Sequence, residues 1–190
     1  MANTATNVST GKPNISGAVF VAPLGTTLPT DATTPLDNSK FVCLGHVSED
    51  GLTNNNEMEI SEIKAWGGAI VYRSQSGLDD TFQLTLIESE NADVLKAVYG
   101  DSNVTVDGSG NAHVVVAASD PQERVWVFEL SLRNGRAKRI VITDGAITAR
   151  EAIVYNDTDA IGYGITVSAY PVGANGKTHE EYLEGPTLSA

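Results

Sequence analysis

Residues 124–144 read RVWVFELSLRNGRAKRIVITD. Arg124–Arg133 alternates, with Trp126, Phe128, Leu130 and Leu132 on one face, the period-two pattern of a strand. Asn134-Gly135 follows, the strongest two-residue signal for a type I′ hairpin turn. Arg136–Asp144 returns as the second strand. With Asn134-Gly135 as the loop, Arg133 lies directly opposite Arg136.

Working outward, the same texture continues on both sides. Ala146–Tyr155 and Ala160–Tyr170 read as further strands. Upstream, Ala18–Ala22 is a short apolar strand ending at Pro23, and Phe41–Val47 is another. Residues 23–40, with Pro23, Pro29 and Pro35, read as an irregular loop. Ser48–Asn56 is polar and reads as a second loop. Met58–Trp66 and Ala69–Ser74 flank Gly67-Gly68, a tight-turn signal. Thr81–Glu88 alternates, with Phe82, Leu84 and Leu86 on one face. Asn103–Val106 and His113–Ala117 flank a turn at Asp107–Gly110. One helix is predicted over Asn91–Tyr99. Val94, Leu95, Val98 and Tyr99 share a face, Asn91 is a candidate N-cap and Gly100 a candidate stop. About ten strands and one helix predict a mainly β chain: an antiparallel β-sandwich or barrel-like fold with one flanking α-helix.

The 190 residues fit one domain. Residues 1–15 are polar and read as a flexible arm, 16–172 as the folded body, and 173–190 as a C-terminal tail with few apolar groups. The N-terminus lacks the charged-then-apolar pattern of a signal peptide, and no apolar run reaches membrane-spanning length. The sequon-like triplets at Asn7, Asn14, Asn103 and Asn156 carry no weight without secretion. Cys43 is the single cysteine, so an internal disulfide framework is excluded; it reads as a small residue packed in a strand. The formal net charge is −12. That opposes grasping nucleic acid, which needs positive potential; ordinary acidic solubility accounts for it, and it is also compatible with a surface that DNA slides past.

No enzyme signature stands out. His46, His113 and His179 are far apart and lack metal-ligand spacing. Asp107–Asn111 resembles the start of a calcium loop but lacks its remaining acids. Nucleophile-elbow, phosphate-loop and dinucleotide motifs are missing from the sequence. Asp79-Asp80 and Glu180-Glu181 are adjacent, and neighbours on a strand point to opposite faces. No cofactor or metal is expected.

Two stretches stand out as candidates for contact. The hairpin tip gathers Arg133, Arg136, Lys138 and Arg139; it is either a solvated tip or a contact for an acidic neighbour. Along Ala160–Tyr170 the odd positions Ile161, Tyr163, Ile165 and Val167 form a core face. The even ones, Gly162, Gly164, Thr166 and Ser168, are small. Two strand glycines mark either a barrel bend or the close approach of a neighbouring subunit or pore wall.

Four segments resemble the major tail (tail tube) proteins of long-tailed bacteriophages, in particular those of Gram-positive, actinobacterial hosts. They are SGAVFVAPLGTTLPTDATTPL (16–36), LGHVSEDGL (44–52), IKAWGG (63–68) and FQLTLIESENADVLKAVYG (82–100). The resemblance is closest over the first half of the chain. It implies a structural virion protein of the phage tail, made in the host cytoplasm. It implies hexameric rings stacked into a hollow tube around a tape-measure protein, with tail terminator and baseplate or distal tail proteins at the ends. DNA would pass through the lumen without specific binding. It further implies that the loop Ser48–Asn56 makes inter-ring contacts. From this follows the expectation that Glu49, Asp50, Glu57 and Glu59 meet Arg133, Arg136, Lys138 and Arg139 of neighbouring subunits. Two other readings compete: a carbohydrate- or receptor-binding β-sandwich module, and a capsid decoration protein.

Overall fold

The computed structural model describes residues 5, 8–14 and 17–185. Eleven strands and one α-helix are found among them. The strands are β1 Gly11–Pro13, β2 Val19–Pro23, β3 Val42–Cys43, β4 Thr53–Lys64, β5 Ile70–Leu86, β6 Val104–Val106, β7 Ala112–Val114, β8 Arg124–Leu132, β9 Ala137–Arg150, β10 Tyr163–Ala169 and β11 His179–Leu183. The helix α1 is Ala92–Tyr99. Nine strands join one antiparallel sheet in the order β3-β2-β8-β9-β10-β5-β4. In addition, β1 pairs with the far end of β8, and β11 with the near end of β9.

This sheet curls. Phe82 of β5 and Phe128 of β8 stack with centroids 5.4 Å apart, although β9 and β10 separate them in strand order. Three strand spacings in a flat sheet would put them about 14 Å apart. The curl encloses a core of Leu84, Leu86, Trp126, Ile142, Ile165 and Val167, and α1 closes it with Val94, Leu95 and Val98. Trp126 donates its indole N–H to the Gly145 carbonyl at 3.0 Å. A Cβ at Gly145 would come within 3.1 Å of the Ser168 carbonyl and 3.3 Å of the Trp126 ring. Here glycine permits close packing, so β9 runs on through a position the sequence reads as a break.

The sequence places β8 against one core, but both of its faces are covered. Val125 and Val127, with Phe20 and Val141, form a second apolar cluster on the outer side. The proline-rich segment after β2 folds over it with Leu28, Leu36 and Phe41. The helix forms as its capping residues dictate. The Asn91 side chain accepts the Asp93 N–H at 3.0 Å, and Gly100, at φ 95°, donates to the Lys96 carbonyl at 2.9 Å.

Four expectations change. The turn after β8 has three residues, Arg133–Gly135, rather than two. Leu132 donates to the Arg136 carbonyl at 2.7 Å, so Leu132, not Arg133, faces Arg136. Gly135, at φ 74°, takes the left-handed position that ends a three-residue hairpin loop. Second, Thr53–Asn56 opens β4 instead of ending a loop. Third, Ile70–Leu86 is one strand of 17 residues, because β4 pairs with Ile70–Gln83 and β10 with Thr81–Leu86. Finally, part of the expected arm and tail is sheet: Gly11–Pro13 pairs with β8 and His179–Leu183 with β9. The rest of the arm, 1–4, 6–7 and 15, and the tail's 186–190 lie outside the described residues.

β10 pairs with β5 only over Thr81–Leu86. Beyond that, Ile70–Asp80 pairs with β4 alone, and the two strands leave the body as a ribbon. Asp80 sits where they part. Its buried carboxylate accepts from Asn54 of β4 at 2.8 Å and meets His179 Nδ1 of β11 at 2.5 Å. Burial pushes the Asp80 pKa up. Hydrogen bonds from Thr178, Asn54 and His179 outweigh it and hold the carboxyl below its ordinary value. A lowered folded-state pKa stabilises the fold above the unfolded value of about 3.9, and that stability is lost as pH falls through the folded value. Asp80→Asn should therefore lower stability at neutral pH by about 1–3 kcal/mol. It should also flatten the acid limb of a urea-midpoint curve recorded from pH 7 to pH 3. Superimposable wild-type and variant curves would show that the junction carries no such linkage.

Candidate assembly surface

The ribbon is exposed along its length. Every residue of β4 is exposed, as are most of Ile70–Asp79. An isolated two-stranded ribbon is marginal in water, and its open edge presents unpaired backbone groups. About ten residue steps beyond Asp80 place its tip some 30–35 Å from the body.

Register assigns the side chains to faces, since directly paired residues share one. The inner face continues the core row of β5. Leu86, Leu84 and Phe82 lead to Asp80 and then to Leu78, which pairs with Met58. Ile60 follows on β4, then Glu62, which meets Arg73 at 2.9 Å. The outer face carries Glu57 opposite Asp79, then Glu59 opposite Gly77, Ser61 opposite Ser74, and Ile63 opposite Tyr72. Glu57 and Asp79 are like charges directly across a ladder, unfavourable unless solvated or met by a cation. Ser76 and Val71 are the extra residues where the register shifts.

The expected contact residues separate into free and occupied groups. Glu49 and Asp50 are exposed on the loop before β4, and Glu57 and Glu59 on the ribbon. Arg133 is exposed at the hairpin tip. Lys138 pairs with Glu181 of β11 at 2.9 Å. Arg136 donates to the Glu184 carbonyl from Nε at 2.8 Å, and Glu184 Oε2 accepts the Ala137 N–H at 2.8 Å. Arg139 is a correction. It is 2% exposed and cannot reach a neighbour. Its guanidinium binds Glu129 Oε1, through Nε at 2.9 Å, and donates to the carbonyls of Asp31 at 2.7 Å and Thr34 at 2.8 Å. Arg139 thus ties the outer loop to the sheet. Nothing in the sequence marked it apart from its basic neighbours; the signal was Glu129, at the cross-strand position opposite.

The small positions of β10 lie on the outer face of the curl. Gly164 pairs with Thr85, Thr166 with Gln83 and Ser168 with Thr81. Ser168 and Thr148 share a hydroxyl hydrogen bond of 2.7 Å. The two glycines do admit close neighbours, but from this same chain. A Cβ at Gly162 would meet the Thr85 methyl at 2.6 Å, and one at Gly164 the Glu151 carboxylate at 2.5 Å. The face is paved with small polar groups, and Thr53 and Asn55 of β4 extend it.

Catalytic geometry finds no foothold in these positions. His46 meets Glu88 at 2.6 Å on the surface, His179 serves the Asp80 junction, and His113 is exposed. Among the described residues no group of three or more His, Cys, Asp or Glu is placed to hold a metal ion. No helix among them is long and apolar enough to cross a membrane. Trp126 is fully buried and offers no platform for a sugar ring.

Removing the Arg139 guanidinium would leave Glu129 buried with a lost partner. Arg139→Ala should cost about 3–5 kcal/mol, read as a fall in the urea-denaturation midpoint. A loss below about 1 kcal/mol would show that the loop holds without it.

A comparison with curated proteins finds no match. A family model described as phage tail tube protein matches residues 4–183. That span takes in the whole curled sheet, the ribbon and the helix. The chain belongs to the phage tail tube protein family.

Proposed function

We propose that this chain is the repeating subunit of a phage tail tube, closing into six-membered rings that stack around a tape-measure protein. Terminator and baseplate or distal tail proteins would cap the ends, and DNA would pass through the lumen. The observation that carries this reading is the ribbon. Family membership brings assembly into a multi-subunit tube, and the ribbon supplies an open strand edge of 12 residues for it. Closure into a ring removes such edges by pairing them with a neighbour.

The lumen is assigned to the neutral outer face of Thr53, Asn55, Thr81, Gln83, Thr85, Gly164, Thr166 and Ser168. These positions include no Lys or Arg. A wall of small polar groups on a subunit of net charge −12 offers phosphate nothing to hold, so DNA moves without trapping. At the subunit borders, Glu49, Asp50, Glu57 and Glu59 are offered to Arg133 of neighbouring copies. Such exposed pairs contribute at most about 1 kcal/mol each, and direct the approach of subunits more than they hold them.

Negative-stain electron microscopy of concentrated protein should show hollow rings or tubes with six-fold end views. A trimer would overturn the reading. In a reconstruction of the tube, Thr166 and Gln83 should face the bore; a bore lined by Lys or Arg would refute the lumen assignment. Arg133→Glu should slow tube growth at low salt with little effect at high salt, measured by light scattering.

A further inference from the structure

The curl is not filled everywhere. Under β1 and the loop between β3 and β4 lies a half-open cavity of about 330 Å³. Its floor is core: Val19 of β2, Leu84 of β5 and Phe128 of β8, each at most 5% exposed. Leu52 and Leu130 add to the apolar lining. The volume sits at the low end of the roughly 300–1,000 Å³ of small-molecule sites, which favour apolar walls, few polar groups and the mouths of barrels. Water in such a place finds few hydrogen-bond partners.

The charged and hydroxyl side chains of the lining all belong to the two covering segments: Lys12 to β1, and Ser48, Glu49 and Asp50 to the loop. Lys12, Glu49 and Asp50 are exposed. Among the described residues none of these three charges has an ion-pair partner, and Lys12 does not pair with either acid. β1 bonds to β8, the loop turns back on itself where Gly51 donates to the Ser48 carbonyl at 3.0 Å, and no backbone hydrogen bond between described residues ties the two segments together. The mouth therefore carries positive charge on one border and negative charge on the other, over an apolar floor. A fatty-acid carboxylate would meet two acids there, and an alkylammonium would meet Lys12. A head group that bears both charges meets its opposite on each border.

We propose that this cavity binds a free α-amino acid with a large apolar side chain, of the size of leucine. The side chain lies over Leu84 and Phe128, the α-carboxylate meets Lys12, and the α-ammonium meets Glu49 and Asp50. Apolar burial supplies the affinity. The exposed ion pairs, worth up to about fivefold each, select a zwitterion over a singly charged ligand. The site is complete within one chain, so it does not depend on the tube reading. A neighbour's Arg133 that takes Glu49 and Asp50 displaces the head group.

Heteronuclear NMR titrations of the whole chain, kept too dilute to assemble, test this with four probes: L-leucine, glycine, isocaproate, which is leucine without its amine, and isoamylamine, which is leucine without its carboxylate. L-leucine is expected to shift the amides of Val47, Leu52 and Leu130 saturably, and glycine to leave them in place. The two singly charged probes should bind up to about fivefold more weakly than L-leucine. In Lys12→Ala, L-leucine should lose its advantage over isoamylamine; in Glu49→Gln with Asp50→Asn, it should lose its advantage over isocaproate. All three side chains are exposed, so thermal midpoints within a few degrees of wild type confirm folding. The absence of a saturable shift with L-leucine would overturn the proposal, as would glycine or a singly charged probe that binds as well, or an advantage that survives its variant.

Discussion

Everything in the molecule follows from the curl that lays Phe82 over Phe128. A nine-stranded sheet has two faces to cover, and among the described residues one α-helix, of eight residues, is there to cover them. Folding the sheet on itself solves most of that problem, because β5 and β8 each provide the cover for the other. The helix then needs to plug only one side of the enclosure. The outer side of β2, β8 and β9 remains, and there a loop without regular structure does the work. The same curl sets the direction of the ribbon, since β5 leaves the body at the point where β10 ends.

Charge is distributed to serve that arrangement. The chain carries twice as many acids as bases, yet most bases near the hairpin tip have partners in their own chain. Glu129 and Arg139 form a buried pair between the sheet and its outer loop, and carbonyls of that loop take the remaining guanidinium donors. Asp31, whose carbonyl is one of these, caps its own turn. Hydrogen bonds from Thr34 and Thr33 hold its carboxyl at about 2. The surplus of acid is therefore left on the outside, on the loop before β4 and on the ribbon.

Much of the fold was legible because local signals agreed. Alternation placed β8 and the inner half of β5, Gly67-Gly68 placed the ribbon turn, and Asn91 and Gly100 bounded the helix to within one residue. Alternation cannot report length when both strands of a ribbon are solvated. Asn54–Asn56 and Gln75–Asp80 look like loop because polar residues and glycine dominate them, and only their mutual pairing makes them strand. Nor could local pattern separate Arg139 from Arg136 and Lys138. Burial of one base in a cluster depends on which acid lies across the ladder and which loop folds over it, and both are tertiary facts. Residues 179–183 read as tail for a similar reason: their partner is β9, some 40 residues earlier in the register.

The pairing of β2 with β8 has a consequence for how the chain is made. Val19 lies beside Phe128, and Asn14 reaches Glu129 across 115 residues of sequence. The centre of the sheet cannot close until the hairpin of β8 and β9 has left the ribosome. Contacts this distant make folding slow, and the first half waits with its apolar strands uncovered. The ribbon, whose own contacts are local, can pair early, but Asp80 meets His179 only when the C-terminal strand arrives. Synthesis order thus delays the final set of the ribbon until the C-terminal strand has joined the body.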